Sequence, residues 1–359
     1  MSLSFLLAFA TTALALLFSA ALFDQWRERR HAFQLIWAIG MLFFAVAAGA
    51  EALAALIGWS EPLYRAWYLT GAAWTAGWLG LGTCFLLAKT RFGYAVALSL
   101  FLAGLFTFLA ARRPEYAGTG DLPILYFIIA GVLAAAVAVE TYFQNERWPM
   151  ITALAVVGAT LAGLVTMLLI TLPAPGYALD PRTGVPTAEI IPGAMRLSTP
   201  FLNITGGLAL ILGAIFSAYV FMPKKRVLYY SLDAGQRGDE FLFNLAIAPF
   251  AIVVNFIVSL PGALSALVGR RIHSRVPATL LIALGALAAG GTDVLARFGS
   301  TDLFQVGRFV AVGLMFLGFL VSVETLSEIR VPFTRRVLRG DRRERVQTVG
   351  TGTGVGTGA

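Results

Sequence analysis

The sequence predicts an all-α, polytopic transmembrane bundle of about nine crossings, plus one proline-interrupted segment that is re-entrant or interfacial. Three observations carry that expectation. The composition is too apolar for a soluble domain, ten long apolar runs are separated by short polar turns, and arginine and lysine are unevenly distributed among those turns.

Of the 359 residues 58% are hydrophobic and 13% charged, with a mean hydropathy of +0.79. Soluble domains carry about 25% charged and about 45–50% apolar residues. The longest polar stretches are 173–200, 223–241 and the tail from 328. Each falls short of the roughly 40 residues below which unaided folding fails. A net charge of +8 in such a chain points to cytoplasmic loops and anionic lipid, not to nucleic acid. Cys84 is the only cysteine, which excludes an intrachain disulfide and a thiolate metal site.

The first apolar run, 2–23, is followed by Asp24-Gln25-Trp26-Arg27-Glu28-Arg29-Arg30. A cleaved signal peptide carries its positive charge ahead of the apolar core. Here the charge comes behind, predicting an uncleaved anchor with the N-terminus outside. Further runs cover about 33–57, 66–88, 94–111, 124–143, 149–172 and 201–222, then 242–268, 278–295 and 304–327. They lack strand alternation and exceed the 9–11 residues of a barrel strand, which leaves helices to satisfy the backbone in lipid. Residues 1–327 therefore read as one transmembrane domain. Residues 328–359 read as a basic, then Gly/Thr-rich, flexible cytoplasmic tail.

Charge distribution separates nine crossings from ten. If every run crosses, 12 Lys/Arg fall inside and 15 outside, against the positive-inside tendency. If 242–268 does not cross, the inner side receives 20 and the outer side 7. The inner 20 are three in 24–32, two in 89–93, Arg147, four in 223–241, Arg270, Arg271, Arg275 and the tail's seven. Pro249 and Pro261 interrupt that run, and Asn244 and Asn255 sit within it; each proline removes a helix hydrogen bond. A kinked but ordinary span is the alternative. Gly49-Ala50-Glu51-Ala52-Leu53-Ala54 also resembles Gly291-Thr292-Asp293-Val294-Leu295-Ala296. A parallel repeat would place both hairpins in the same direction, as nine crossings do.

Ionisable groups inside apolar runs cost on the order of 2.5–3.5 kcal/mol at a helix centre. Glu51 and Asp293 fall toward the outer surface, at the expected depth of Arg65, Arg297 and Arg308, and form a candidate polar cluster. Such a cluster is either structural or the lining of a polar cavity. Glu140 and Glu324 fall toward the inner surface, where snorkelling to headgroups explains them. Trp59, Tyr64, Trp67 and Tyr68 suit an outer aromatic belt, while Trp74 and Trp78, at i and i+4 among glycines, fill gaps between helices. The proline-rich stretch 173–200 is the longest outer loop, a connector or a lid.

His31 and His273 are the only histidines and both lie in inner loops, which gives no haem or metal pair on facing helices. The lysines also fall in loops, leaving none mid-span for a Schiff base. No catalytic or cofactor motif is present, and an enzyme ranks third among the readings. The proline-broken segment 242–268 and the repeat favour a small-molecule or ion transporter, with a non-catalytic membrane sensor or assembly subunit as the alternative. The expected partners are the bilayer, anionic lipid at the basic tail, and a protein partner or second copy. The expected place is a bacterial-type plasma membrane, multi-pass, with the C-terminus cytoplasmic.

Overall fold

The computed structural model describes residues 3–116, 118–181, 184–231, 238–269, 275–297, 301–321, 328–330 and 337–340. The helices are α1 (Leu3–Arg29), α2 (Ala32–Ile57), α3 (Glu61–Trp67), α4 (Thr75–Leu86), α5 (Gly93–Ala110), α6 (Leu122–Tyr142) and α7 (Trp148–Leu169). They continue with α8 (Gly193–Phe221), α9 (Gly238–Val268), α10 (Arg275–Arg297) and α11 (Thr301–Val321). A π-helical turn, Tyr68–Trp74, joins α3 to α4 without a break. After the last helix, β1 (Glu328–Arg330) pairs antiparallel with β2 (Val337–Gly340).

Local chemistry sets several boundaries. Pro62, Pro123 and Pro149 stand in the first turns of α3, α6 and α7, where the missing N–H has no intrahelical partner to lose. Gly58 ends α2 at φ +84, a left-handed backbone that a side chain resists, and its N–H caps the Ala54 carbonyl at 2.9 Å.

The helices close into a ring in which α1 packs on α2, α2 on α4, α4 on α8, α8 on α10, α10 on α11, and α11 back on α1. Helix α8 is the hub, also meeting α5, α6 and α7. In lipid no hydrophobic force drives helix pairing, so close backbone approach does much of the work. A Cβ on Gly80 would stand 2.4 Å from the Gly206 Cα, and one on Gly206 would stand 2.1 Å from the Ala76 carbonyl oxygen. The α10–α11 pair is drawn in the same way, at Gly285 against Ala311 and Gly318 against Ala278. Large apolar side chains on α6 and α7 point outward, among them Val132, Leu154, Leu168 and Leu169. This is the inverted surface of a multi-pass membrane bundle.

One end of the bundle gathers the last turns of α4, α6 and α8 with the first turns of α5 and α7. The Trp148 indole donates to the Ala88 carbonyl at 3.0 Å, Phe92 meets Phe216 at 5.8 Å, and Gly93 abuts Thr141. This basic end carries Lys89, Arg147, Lys224, Lys225 and Arg226. The opposite, cap end carries the 173–192 loop.

Among the described residues nine helices are long and apolar enough to cross a membrane, α9 among them. Contacts nevertheless keep α9 at the basic end. Ala218, Tyr219 and Met222 of α8 and its end cluster with Ala263 of α9 and Val276 of α10, so α8 finishes where α10 begins. A connecting helix that crossed would put them on opposite faces. The other end of α9 agrees, because Phe241 packs on Tyr94 and Tyr142 at 5.9 and 5.2 Å. Among the described residues nine helical columns run between the two ends once α3, the π turn and α4 are taken as one, with α9 lying across the basic end.

Candidate functional site at the cap end

Helix periodicity brings Phe44, Ala48 and Glu51 to one buried face of α2, and Phe304, Gln305 and Arg308 to one face of α11. Where the two faces meet, the Arg308 guanidinium donates to Glu51 Oε1, and the Gln305 amide donates to Oε2 at 2.7 Å. The Trp67 indole, at the end of α3, donates to Oε1 at 2.8 Å. The ion pair is almost sealed, with side-chain exposures of 9% for Arg308 and 5% for Glu51. The guanidinium lies over the rings of Phe44 and Phe304, their centroids 5.1 and 5.4 Å away.

Each component answers a cost of burial. An unpaired carboxylate in a bilayer is expensive, and pairing is favourable only when the remaining lone pairs are also used. Three donors from two other elements meet that condition for Glu51. Two aromatic faces offset the lost hydration of Arg308. The arrangement ties the first hairpin to the last and to the third pass.

Arg65 does not join this group. Its Nε donates to Glu61 Oε1 at 2.8 Å, one helical turn earlier, and its NH2 donates to the Ile170 carbonyl at 2.7 Å. Arg65 also reaches the Met167 carbonyl, so the guanidinium covers the C-terminal end of α7, where free carbonyls and the helix dipole attract a cation. The cluster expected from sequence thus divides into two arrangements at the same end. Asp293 and Arg297 lie on α10 with side chains outside the described residues, and Glu324 lies outside them altogether. Glu140 sits at the basic end of α6, half-buried, with Oε2 lacking a hydrogen-bond partner.

The described residues of the 173–192 loop form a cap. Residues 178–180 pair with 184–187, with Leu179 bridging Pro186 and the Thr187 N–H donating to the Ala178 carbonyl at 2.9 Å. Tyr64 anchors it from below by donating to the Thr187 carbonyl, and Tyr68 shares a 2.8 Å hydrogen bond with Thr199. These two tyrosines, expected at an interfacial belt, are almost fully buried.

Deeper in the third pass the π turn has its own supports. Its loosened carbonyls accept from the Thr75 hydroxyl at 2.7 Å, onto Thr70, and from the Asn203 amide of α8 at 2.6 Å, onto Ala72. Trp78 donates to Thr160 on α7 at 3.1 Å, and Phe43 packs on both Trp74 and Trp78. Below them a small void between α4, α7 and α8 is lined by Gly77, Gly80, Thr152, Phe201, Thr205 and Gly206. The buried Thr205 hydroxyl has no partner.

Sequence reasoning missed Trp67 as a ligand of Glu51, along with Gln305 and Glu61. Spacing alone offered two of them, since Gln305 precedes Arg308 by one turn and Glu61 precedes Arg65 by one turn. Comparison with family models, curated proteins and solved structures returns no match.

Proposed function

We propose that this multi-pass membrane protein is a non-catalytic subunit of the sensor or assembly class. We place its basic end in the cytoplasm of a bacterial-type plasma membrane. The observation that carries the proposal is the closed state of Glu51. A carboxylate that couples transport must exchange its proton or ion with water, and this one is occupied by Arg308, Gln305 and Trp67. Such a network suits a fixed joint between hairpins, on which a partner or a signal acts elsewhere. The orientation is supported by the positive-inside tendency and by the basic residues gathered at one end.

The test is ion flux and association measured together. Purified protein in liposomes loaded with a pH-sensitive dye is expected to pass no protons, either as wild type or as Glu51→Gln. Mild crosslinking in native membranes is expected to trap a discrete protein partner or second copy. Proton flux in the wild type that disappears in Glu51→Gln would overturn the proposal.

A second reading, a small-molecule or ion transporter, is favoured by one separate feature. The π turn and the void beside it lie midway along the third pass, where transporters hold substrate, and interrupted helices recur there. The void has room for about one water molecule, about 10 Å³, so this reading requires a second, more open conformation. Substrate-dependent protection of a cysteine placed at Thr205 would support it.

A further inference from the structure

We infer that α9 and the extended segment before it form a ledge that seats in the lipid leaflet at the basic end and binds anionic headgroups there. The polar stripe of α9 is already occupied by that segment. Asn255 Oδ1 accepts from the N–H groups of Val227 and Leu228 at 2.8 and 3.0 Å, and its amide donates to the Leu228 carbonyl at 2.7 Å. Ser259 accepts from the Lys225 N–H at 2.9 Å, and Asn244 accepts from the Ser231 N–H at 3.4 Å.

Those pairings run antiparallel, and their lengths agree. Asn244 to Ser259 spans about 22 Å along a helix, while Lys225 to Ser231 spans about 20 Å of extended chain. The segment therefore lies along α9 as a strap, with backbone groups of Lys225, Val227, Leu228 and Ser231 bonded to the helix's own polar side chains.

The side of α9 that faces away from the strap is apolar, with Glu240 and Ser265 exposed on its flank. Leu242, Phe243, Phe250, Val253, Ile257 and Leu264, on the side opposite the strap, are each more than half exposed. A surface of this kind, with both helix ends at one end of the bundle, belongs in the acyl region of one leaflet. At the start of the strap Lys224, Lys225 and Arg226 are all exposed. Because the strap runs beside the helix, these cations lie alongside its C-terminal half and not beyond its tip. That is where an in-plane helix meets headgroups, and three positive charges select anionic ones. The occupant is thus a phospholipid leaflet bearing negative charge.

The experiment uses the full chain in lipid nanodiscs, with nitroxide labels at Leu242→Cys, Val253→Cys and Leu264→Cys, one at a time. These positions recur every eleven residues on the same stripe, and the native Cys84 is buried and silent. All three are expected to report one shallow depth, open to oxygen and shielded from a water-soluble nickel chelate. Depths that change along the helix by the thickness of a bilayer would overturn the proposal. Shielding from both reagents, the mark of a protein partner or second copy on this face, would overturn it equally. In nanodiscs mixing phosphatidylcholine with phosphatidylglycerol, the wild type is expected to retain phosphatidylglycerol selectively. The variant Lys224→Gln/Lys225→Gln/Arg226→Gln is expected to lose that enrichment, by up to about fivefold per charge removed. Undiminished enrichment in a variant that keeps its thermal stability would refute the headgroup half.

Discussion

Glu51 and Arg308 stand 257 positions apart, and the guanidinium of one donates to the carboxylate of the other inside the cap end of the bundle. Between them the chain makes most of its passes, so the pair closes α11 against α2 and completes the ring. The same carboxylate also receives Trp67 and Gln305, which makes it a joint among three elements and not an isolated ion pair.

Removing one partner of this joint is expected to cost more than removing both. Arg308→Met leaves a buried carboxylate with an uncompensated charge, at about 3–5 kcal/mol. Glu51→Met together with Arg308→Met is expected to recover most of that loss. Unfolding in mild detergent, followed by tryptophan fluorescence, measures both. Equal losses in the single and double variants would mean that the pair is not the joint.

Close approach of α4 and α8 gives a second expectation. Gly80→Ala and Gly206→Ala place a methyl group against backbone atoms that cannot move without separating the helices. Each is expected to cost about 1–3 kcal/mol, the range for overpacking. Gly207→Ala, one residue along α8 with open space around it, is expected to stay within about 0.5 kcal/mol of the parent.

The cap should loosen when its tyrosine anchor loses its hydroxyl group. Tyr64→Phe removes the bond to the Thr187 carbonyl while keeping the ring. Trypsin cleavage within 178–187 is expected to accelerate severalfold, with little change in global unfolding, because loop opening and bundle unfolding are separate events.

Topology can be read by labelling from either side of a sealed membrane. Lys224→Cys and Gly269→Cys flank α9 and are expected to react from the same side, while Arg113→Cys, past the end of α5, reacts from the other. Opposite sides for the first two would mean that α9 crosses, and the nine-pass arrangement would fail.

The strap is expected to depend on Asn255. Asn255→Ala removes one acceptor and one donor that serve the backbone at Val227 and Leu228. Amide hydrogen exchange across 225–231 is expected to rise well above that of the parent, while α9 itself stays protected. Unchanged exchange would show that the strap is held by other contacts.

Much of this architecture is legible in the order of the residues alone. Hydropathy summed along the chain marks the passes, because a backbone in lipid must bond to itself and a long apolar helix is the cheapest way to do so. Arginine placement singled out 242–268, and Pro249, Pro261, Asn244 and Asn255 marked the same run. Glu51 and Arg308 drew notice as charges at one depth. None of these signals required knowledge of which helix neighbours which.

Partner choice was beyond that reach. That Arg308 meets Glu51 while Arg65 turns to Glu61 and the end of α7 depends on how α2, α3 and α11 are rotated. Rotation is set by packing among residues far apart in the chain, such as Gly80 against Gly206. The asparagines of α9 likewise read as oddities in an apolar run until the strap supplied their partners. Composition and charge are properties of residues and survive in a linear string. A buried hydrogen bond or a backbone contact is a property of two surfaces, and it exists only once both have been brought together.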